Sequence, residues 1–190
     1  INTLDVDLVA FTGDIVNRKS EELLPYESLL SRIQAKDGVL SVLGNHDYGD
    51  YLDWATPKDK EENLRLMYEI NQRMGWDLLL NESKYLYRGN DSIVVIGVEN
   101  IGDPPFKVYG SLGEANQSLA DSTIKILLTH NPAHWEQDIK DNKKYNIALT
   151  LSGHTHAMQI ELFGFSPSIF RYNYWKDMFR IKRLIYSNKT

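Results

Sequence analysis

The chain has 190 residues, of which 42% are hydrophobic and 25% charged, as in a globular protein of one domain. It has no cysteine, which excludes disulfide scaffolds, thiolate zinc sites and cysteine nucleophiles. The net charge of −5 disfavours broad nucleic-acid binding, so we expect no nucleic-acid partner. No run of 18 uncharged apolar residues occurs, so the sequence predicts no membrane span. We expect a single domain over residues 1–190.

Apolar runs and helical periodicities alternate along the chain, which indicates an α/β fold. Short apolar runs at 7–12 and 39–43 predict two buried strands, with a helical stretch near 20–35 between them. The clearest amphipathic helix is predicted at 58–74. Later strands are predicted at 76–80, 84–88, 92–99, 124–129, 147–152 and 183–187, with a short helix near 113–120. The short turns within 76–99 favour antiparallel pairing there.

Four of the predicted buried strands end in residues that can bind metal ions. The segments that follow them are Gly13-Asp14, the stretch GNHD at 44–47, His130, and the stretch GHTH at 153–156. Ligands bind at the carboxyl ends of strands in α/β sheets, so neighbouring strands would bring these segments to one rim. Oxygen and imidazole donors suit Mn, Fe, Zn, Ni or Co. The sequence therefore predicts a divalent-metal site.

Each motif alone has a simpler interpretation. A Gly-Asp pair after a strand is usually a turn, whereas two histidines beside a buried strand are hard to explain by packing. His134 follows Asn131-Pro132, and we interpret it as a surface residue at a helix start, with substrate contact as the alternative. The joint pattern is more specific than any of its parts.

GD, GNHD, a strand-terminal His and GHTH, in this order, resemble the calcineurin-like metallophosphoesterase family. The stretches LTHNP and SGHTHAMQI are most similar to its bacterial membrane-associated branch. The resemblance implies a layered α-β-β-α sandwich of two mixed sheets flanked by helices. It also implies hydrolysis of a phosphomonoester, phosphodiester or pyrophosphate bond through a dinuclear metal centre and a metal-bound hydroxide.

The resemblance implies five metal ligands in this chain. Asp14 would bridge the two ions. Asn45, His130 and His154 would complete the ligands of one ion, and His156 would belong to the other. The identity of the two divalent ions stays open among Mn, Fe, Zn, Ni and Co.

Two catalytic residues are implied in the same way. His46 would stabilise the phosphoryl oxygens or protonate the leaving group. Asp47 would orient His46 and raise its basicity. The alternative function is a non-catalytic binding scaffold with the same fold.

The family's first motif, Asp-x-His, is not found before Asp14, since neither Asp5 nor Asp7 is followed by a suitable His. We therefore expect an N-terminally truncated core fragment with one metal site incomplete, weak or inactive by itself. The sequence leaves the location open between the cytoplasm and a membrane.

We expect the substrate to be a phosphorylated small molecule or a lipid-linked one, chosen by loops 48–58, 101–113 and 157–175. Residues 171–190 contain six Lys or Arg and one acidic residue. Aromatic and apolar residues recur there at helical spacing over 171–183. We interpret this stretch as a helix packed on the core or, alternatively, as an interfacial helix on an anionic membrane surface.

Overall fold

The computed structural model describes residues 1–102, 107–156 and 165–170. The chain divides into two compact units, Ile1–His154 and Thr155–Thr190. The first unit contains every strand named below. The second contains the short 3₁₀ helix Pro167–Phe170. The single domain over residues 1–190 stays a prediction.

The first sheet has three parallel strands in chain order, β1 to β3. They are β1 Val9–Phe11, β2 Val39–Ser41 and β3 Trp76–Leu78. The connection from β1 to β2 contains the 3₁₀ helix Ser20–Tyr26 and the single α-helical turn α1 Glu27–Leu30. Pro25 lies inside the 3₁₀ segment and has no N–H for helical bonding, which explains why the predicted helix near 20–35 is short and broken.

The connection from β2 to β3 contains the long helix α2, Pro57–Arg73. The Thr56 hydroxyl accepts a hydrogen bond from the Asp59 N–H at 3.2 Å, and the Asp59 carboxylate accepts one from the Thr56 N–H at 2.8 Å. Pro57 occupies the first turn, where no N–H partner is needed. These start signals explain why the helix predicted at 58–74 is confirmed with nearly the same bounds.

The second sheet has four strands in the order β4-β5-β6-β7. They are β4 Glu82–Arg88, β5 Asp91–Gly97, β6 Lys125–Leu128 and β7 Ile147–Leu151. Only β4 and β5 pair antiparallel, as predicted for this hairpin; the pairs β5-β6 and β6-β7 are parallel. The short helix α3 Leu112–Ala115 precedes β6, and a π-helical turn at Trp135–Ile139 precedes β7.

Buried side chains form three layers of core in the first unit. Leu40 and Leu79 from the first sheet and Val95 and Leu128 from the second share one apolar cluster, which therefore lies between the sheets. The opposite faces of the two sheets pack against helices. The predicted α-β-β-α sandwich is thus confirmed, with the difference that the described part of the first sheet is parallel rather than mixed.

Two predicted elements of the C-terminal segment are not covered by the described residues. The strand at 183–187 and the helix over 171–183 lie outside the described residues. Within the described ranges, no helix has the length and apolar character needed to cross a membrane.

Candidate metal centre

Four side chains converge in what we call the ligand cluster: Asp14, Asn45, His130 and His154. Asn45 Oδ1 lies 3.0 Å from His130 Nε2 and 2.8 Å from His154 Nδ1, and the two nitrogens are 3.1 Å apart. Asp14 Oδ2 lies 3.1 Å from the same His130 nitrogen. The carboxylate and both rings each offer one ligand atom within 4.8 Å of the others. Four of the five predicted ligands are therefore brought together.

The cluster forms at the ends of strands from both sheets. Asp14 and Asn45 follow β1 and β2 of the first sheet, whereas His130 and His154 follow β6 and β7 of the second. We expected the candidate ligands at the edge of a single sheet, but they follow strands of two different sheets. The reason is that sheet membership is decided by pairing, which the apolar runs alone do not encode.

The hydrogen bond at Nδ1 of His130 shows how its ring faces the cluster. Nδ1 lies 2.7 Å from the carbonyl oxygen of Thr12, which can only accept, so Nδ1 carries a proton. In the neutral ring Nε2 then has a lone pair, which faces the oxygens of Asp14 and Asn45. Lone pairs facing one another repel, and a positive charge among them, either a proton on Nε2 or a metal ion, would remove the repulsion.

The separations also fit a divalent ion. Such an ion holds nitrogen and oxygen ligands at about 2.1 Å, which places neighbouring ligand atoms roughly 3.0–3.5 Å apart. The ligand atoms of Asn45, His130 and His154 are 2.8–3.1 Å apart. The donor set and its spacing therefore both fit a divalent cation.

The backbone takes uncommon conformations at two ligands. Asp14 and His154 have φ values of 58° and 69°, in the left-handed region that non-glycine residues seldom adopt. A Cβ on Gly44 would collide with the Asp14 carboxylate and approach the ring of His130. Glycine is needed there because the loops carrying the ligands pass close to one another. Such strained positions concentrate at functional sites.

The charge of Asp14 is favoured by its surroundings. Burial alone would raise the pKa of its carboxyl group, but the contact with His130 and the hydrogen bond from the His46 N–H hold that pKa below its usual value. Asp14 is therefore available as an anionic ligand.

Asp47 is fully buried and joins the two loops that carry Asp14 and Asn45. Its Oδ2 accepts hydrogen bonds from the N–H groups of Asp14 and Gly44, both at 2.8 Å. Its Oδ1 accepts from two further N–H groups, those of Ile15 at 2.9 Å and Val16 at 3.3 Å. Burial raises the pKa of Asp47 to about 6 against the opposing effect of these donors.

His46 is oriented by a different group from the one expected. Its Nδ1 lies 2.6 Å from the carbonyl oxygen of Asn17 and donates to it. The ring packs on Tyr51 with centroids 4.7 Å apart. The prediction that Asp47 orients His46 is wrong, because a carboxylate has about four acceptor sites and backbone N–H groups fill those of Asp47. The Nε2 atom of His46 has no hydrogen-bond partner within the described part of the chain.

The structure tests the prediction for His134 but not the prediction for His156. His156 belongs to the second unit, and its role as a ligand stays a prediction. His134 is fully buried, so its interpretation as a surface residue is wrong. Its Nδ1 lies 2.9 Å from the Thr129 hydroxyl, and burial lowers its pKa to about 4 despite the nearby carboxylate of Asp138. The segment after β6 turns into the core instead of over the surface.

Three groups at the site were not predicted: the carbonyls of Thr12 and Asn17 and the hydroxyl of Tyr51. A carbonyl gives no signal in the residue type, so sequence reasoning had no means of finding the first two. Tyr51 could have been considered, because it is an aromatic residue six positions after Asn45 in the same loop.

Comparison with known proteins identifies relatives that are named as metallophosphoesterases. Relatives include two uncharacterized metallophosphoesterases of Bacillus subtilis, YkoQ and YkuE. YkoQ is 29% identical over 157 residues, 82% of this chain and 52% of YkoQ. YkuE is 29% identical over 177 residues, 89% of this chain and 54% of YkuE. A transmembrane protein with metallophosphoesterase domain from Danio rerio is 26% identical over 168 residues, 84% of this chain and 35% of that protein.

The chain spans about half the length of the two bacterial relatives and less of the fish protein. No solved structure matches it. The model of the calcineurin-like phosphoesterase family matches residues 1–158, which is most of the chain. The chain therefore belongs to the calcineurin-like phosphoesterase family, as its motifs indicated.

Proposed function

We propose that the protein containing this chain hydrolyses a phosphomonoester, phosphodiester or pyrophosphate bond with the help of two divalent metal ions. The observation that carries the proposal is the ligand cluster, in which one carboxylate, one amide and two imidazoles meet at metal-ligand spacing. Metal-dependent phosphoester hydrolysis is the chemistry of the family to which the chain belongs.

The ligand cluster would hold one ion. Asp14 would also be a ligand of the second ion, and the family resemblance assigns His156 to that ion as well. When bound, divalent ions neutralise the charge of a phosphoryl group and lower the pKa of water toward neutrality. Mn, Fe, Zn, Ni and Co all suit these ligands.

The protein's own catalytic group in this proposal is His46. The Asn17 carbonyl fixes the proton on Nδ1, so Nε2 is the ring atom that can hold or give up a proton. Protonated, Nε2 would stabilise the charge on the phosphoryl oxygens or protonate the leaving oxygen. Asp47 supports this chemistry indirectly, by holding the loops on either side of the cluster.

The substrate we propose is a phosphorylated small molecule or a lipid-linked phosphate. The printed name of the fish relative describes a transmembrane protein, and the motifs resemble a membrane-associated bacterial branch. We therefore propose a place at a membrane for the intact protein, where a lipid-linked substrate would be accessible.

Hydrolysis by the intact protein tests the proposal. The protein is stripped with a chelator and assayed on an aryl phosphomonoester, an aryl phosphodiester and a nucleoside diphosphate lipid, with Mn²⁺, Zn²⁺, Fe²⁺, Co²⁺ or Ni²⁺ added back. We expect turnover of one substrate class that returns only with metal. Metal binding without turnover of any of the three would instead favour the non-catalytic scaffold, and the proposal would be wrong.

A further inference from the structure

Tyr51 contacts two residues of the site at once. Its hydroxyl oxygen lies 2.8 Å from Nδ2 of Asn45, and its ring packs on His46 with centroids 4.7 Å apart. The side chain is 41% exposed, so the core does not account for its position.

The contact with Asn45 has a direction. An amide nitrogen can only donate, so the Tyr51 oxygen is the acceptor. The other end of the same amide, Oδ1, faces the nitrogens of His130 and His154. The two ends of one planar group are thus assigned to two different partners.

This assignment decides whether Asn45 can bind a cation. Rotation of the amide by half a turn would exchange its oxygen and its NH₂ group, which have similar size. The NH₂ group would then point at the ligand cluster, where it would repel a cation and supply no lone pair. Of the described residues, only Tyr51 accepts a hydrogen bond from Asn45 Nδ2.

We propose that Tyr51 is a positioning residue, which fixes the amide of Asn45 so that its oxygen faces the bound ion. The inference rests on the proposed function in so far as it requires that the ligand cluster binds a divalent cation. It adds a residue outside the GNHD motif to the metal centre. Partners of this kind, which hold a metal ligand without touching the metal, alter metal affinity by roughly 10–100-fold when removed.

The test is a calorimetric titration of Mn²⁺ into the intact, chelator-stripped protein, without substrate. Tyr51→Phe keeps the ring against His46 and removes only the hydroxyl. We expect it to weaken Mn²⁺ binding roughly 10-fold. Tyr87→Phe, which removes a hydroxyl from a 64% exposed tyrosine on β4, is the matched control and is expected to bind as the wild type does.

A double-mutant cycle separates positioning from a general structural effect. In the Asn45→Asp background both ends of the side chain are oxygens, so its orientation no longer matters. Tyr51→Phe is then expected to change Mn²⁺ affinity less than about twofold, whereas a structural role would persist in both backgrounds. Equal loss in the two backgrounds, or no loss in the Asn45 background, would overturn the inference.

The outcome also distinguishes this inference from the proposed function. Normal Mn²⁺ binding by Tyr51→Phe would overturn only the role of Tyr51. Failure of the wild-type protein to bind Mn²⁺ or any of the other four candidate ions would overturn both. Binding that weakens as expected in a protein without turnover would support the role of Tyr51 and contradict the hydrolase.

Discussion

Asn45 and His46 are chain neighbours whose side chains have different partners, and we expect them to have separate tasks at the candidate metal centre. Asn45 Oδ1 belongs to the ligand cluster, whereas the His46 ring is held by Asn17. We expect His46→Ala to lower turnover by roughly 10²–10⁴-fold and to leave Mn²⁺ content unchanged. Asn45→Ala should weaken Mn²⁺ binding. Metal analysis that finds stoichiometric loss of Mn²⁺ from His46→Ala would refute this division.

Asp47 is expected to matter more for stability than for proton transfer. Asp47→Ala leaves four backbone N–H groups without their acceptor, and each buried unpaired group costs about 1–3 kcal/mol. We therefore expect the free energy of unfolding of the chelator-stripped protein to fall by more than about 3 kcal/mol. Urea denaturation measures this free energy of unfolding. Asp91→Ala, at an exposed position, is the control variant. Equal stability of the two variants would contradict the structural role.

The sequence predicted which side chains come together in the ligand cluster better than it predicted what orients them. Candidate ligands such as Asn45 and His130 are polar and follow apolar runs, so they can be recognised in the sequence. The partner of His46 is a backbone carbonyl, which every residue has. Asp47 could equally have bonded a side chain or the backbone, and only the three-dimensional path of the loops decides between them.

At the scale of elements, the turn from β6 into the π-helix places His134 in the core. Its folded pKa of about 4 lies below the value of about 6.5 for an exposed histidine, so the unfolded chain binds the proton first as the pH falls. The free energy of unfolding therefore falls as the pH is lowered from about 6.5 to about 4, by a total of roughly 3 kcal/mol. The Asp138 carboxylate lies 3.6 Å from Nε2 of His134 and opposes the effect of burial by raising the pKa of the ring.

This predicts a difference between the wild type and His134→Gln. Between pH 7 and pH 5 the free energy of unfolding should fall by roughly 2 kcal/mol more in the wild type. Urea denaturation at the two pH values checks this, and the other titrating groups cancel in the difference. The same pH dependence in both proteins would show that His134 is not held neutral by burial.

Helix and strand positions followed from local patterns, but strand pairing did not. The Thr56-Pro57-Asp59 start signal predicts where α2 begins, since capping is a contact among near neighbours. Which strands lie side by side depends on contacts far apart in the chain. For that reason β3, whose sequence suggested a hairpin with its successor, instead joins β2 in the first sheet.

At the scale of the whole molecule, residues 171–183 supply a prediction about membranes. They lie outside the described residues, and in the sequence Trp175 and Phe179 recur at helical spacing among basic residues. If this segment is an interfacial helix, the domain should sediment with anionic vesicles and not with neutral ones at low salt.

A variant separates this hypothesis from a helix packed on the core. The double change Trp175→Ala and Phe179→Ala should abolish vesicle binding and leave the unfolding midpoint unchanged. Vesicle binding that survives both changes, or no binding of the wild type at low salt, would contradict the interfacial helix.

The ligand cluster joins loops from both sheets, and we propose that the ion it binds is required for hydrolysis. The most direct test titrates Mn²⁺ into the chelator-stripped intact protein and measures bound Mn²⁺ and aryl phosphodiester turnover in the same samples. We predict that turnover rises as Mn²⁺ binds, and that His130→Ala loses the ion of the ligand cluster and turnover together. Turnover that is independent of Mn²⁺, or that persists in His130→Ala with the metal gone, would contradict the assignment.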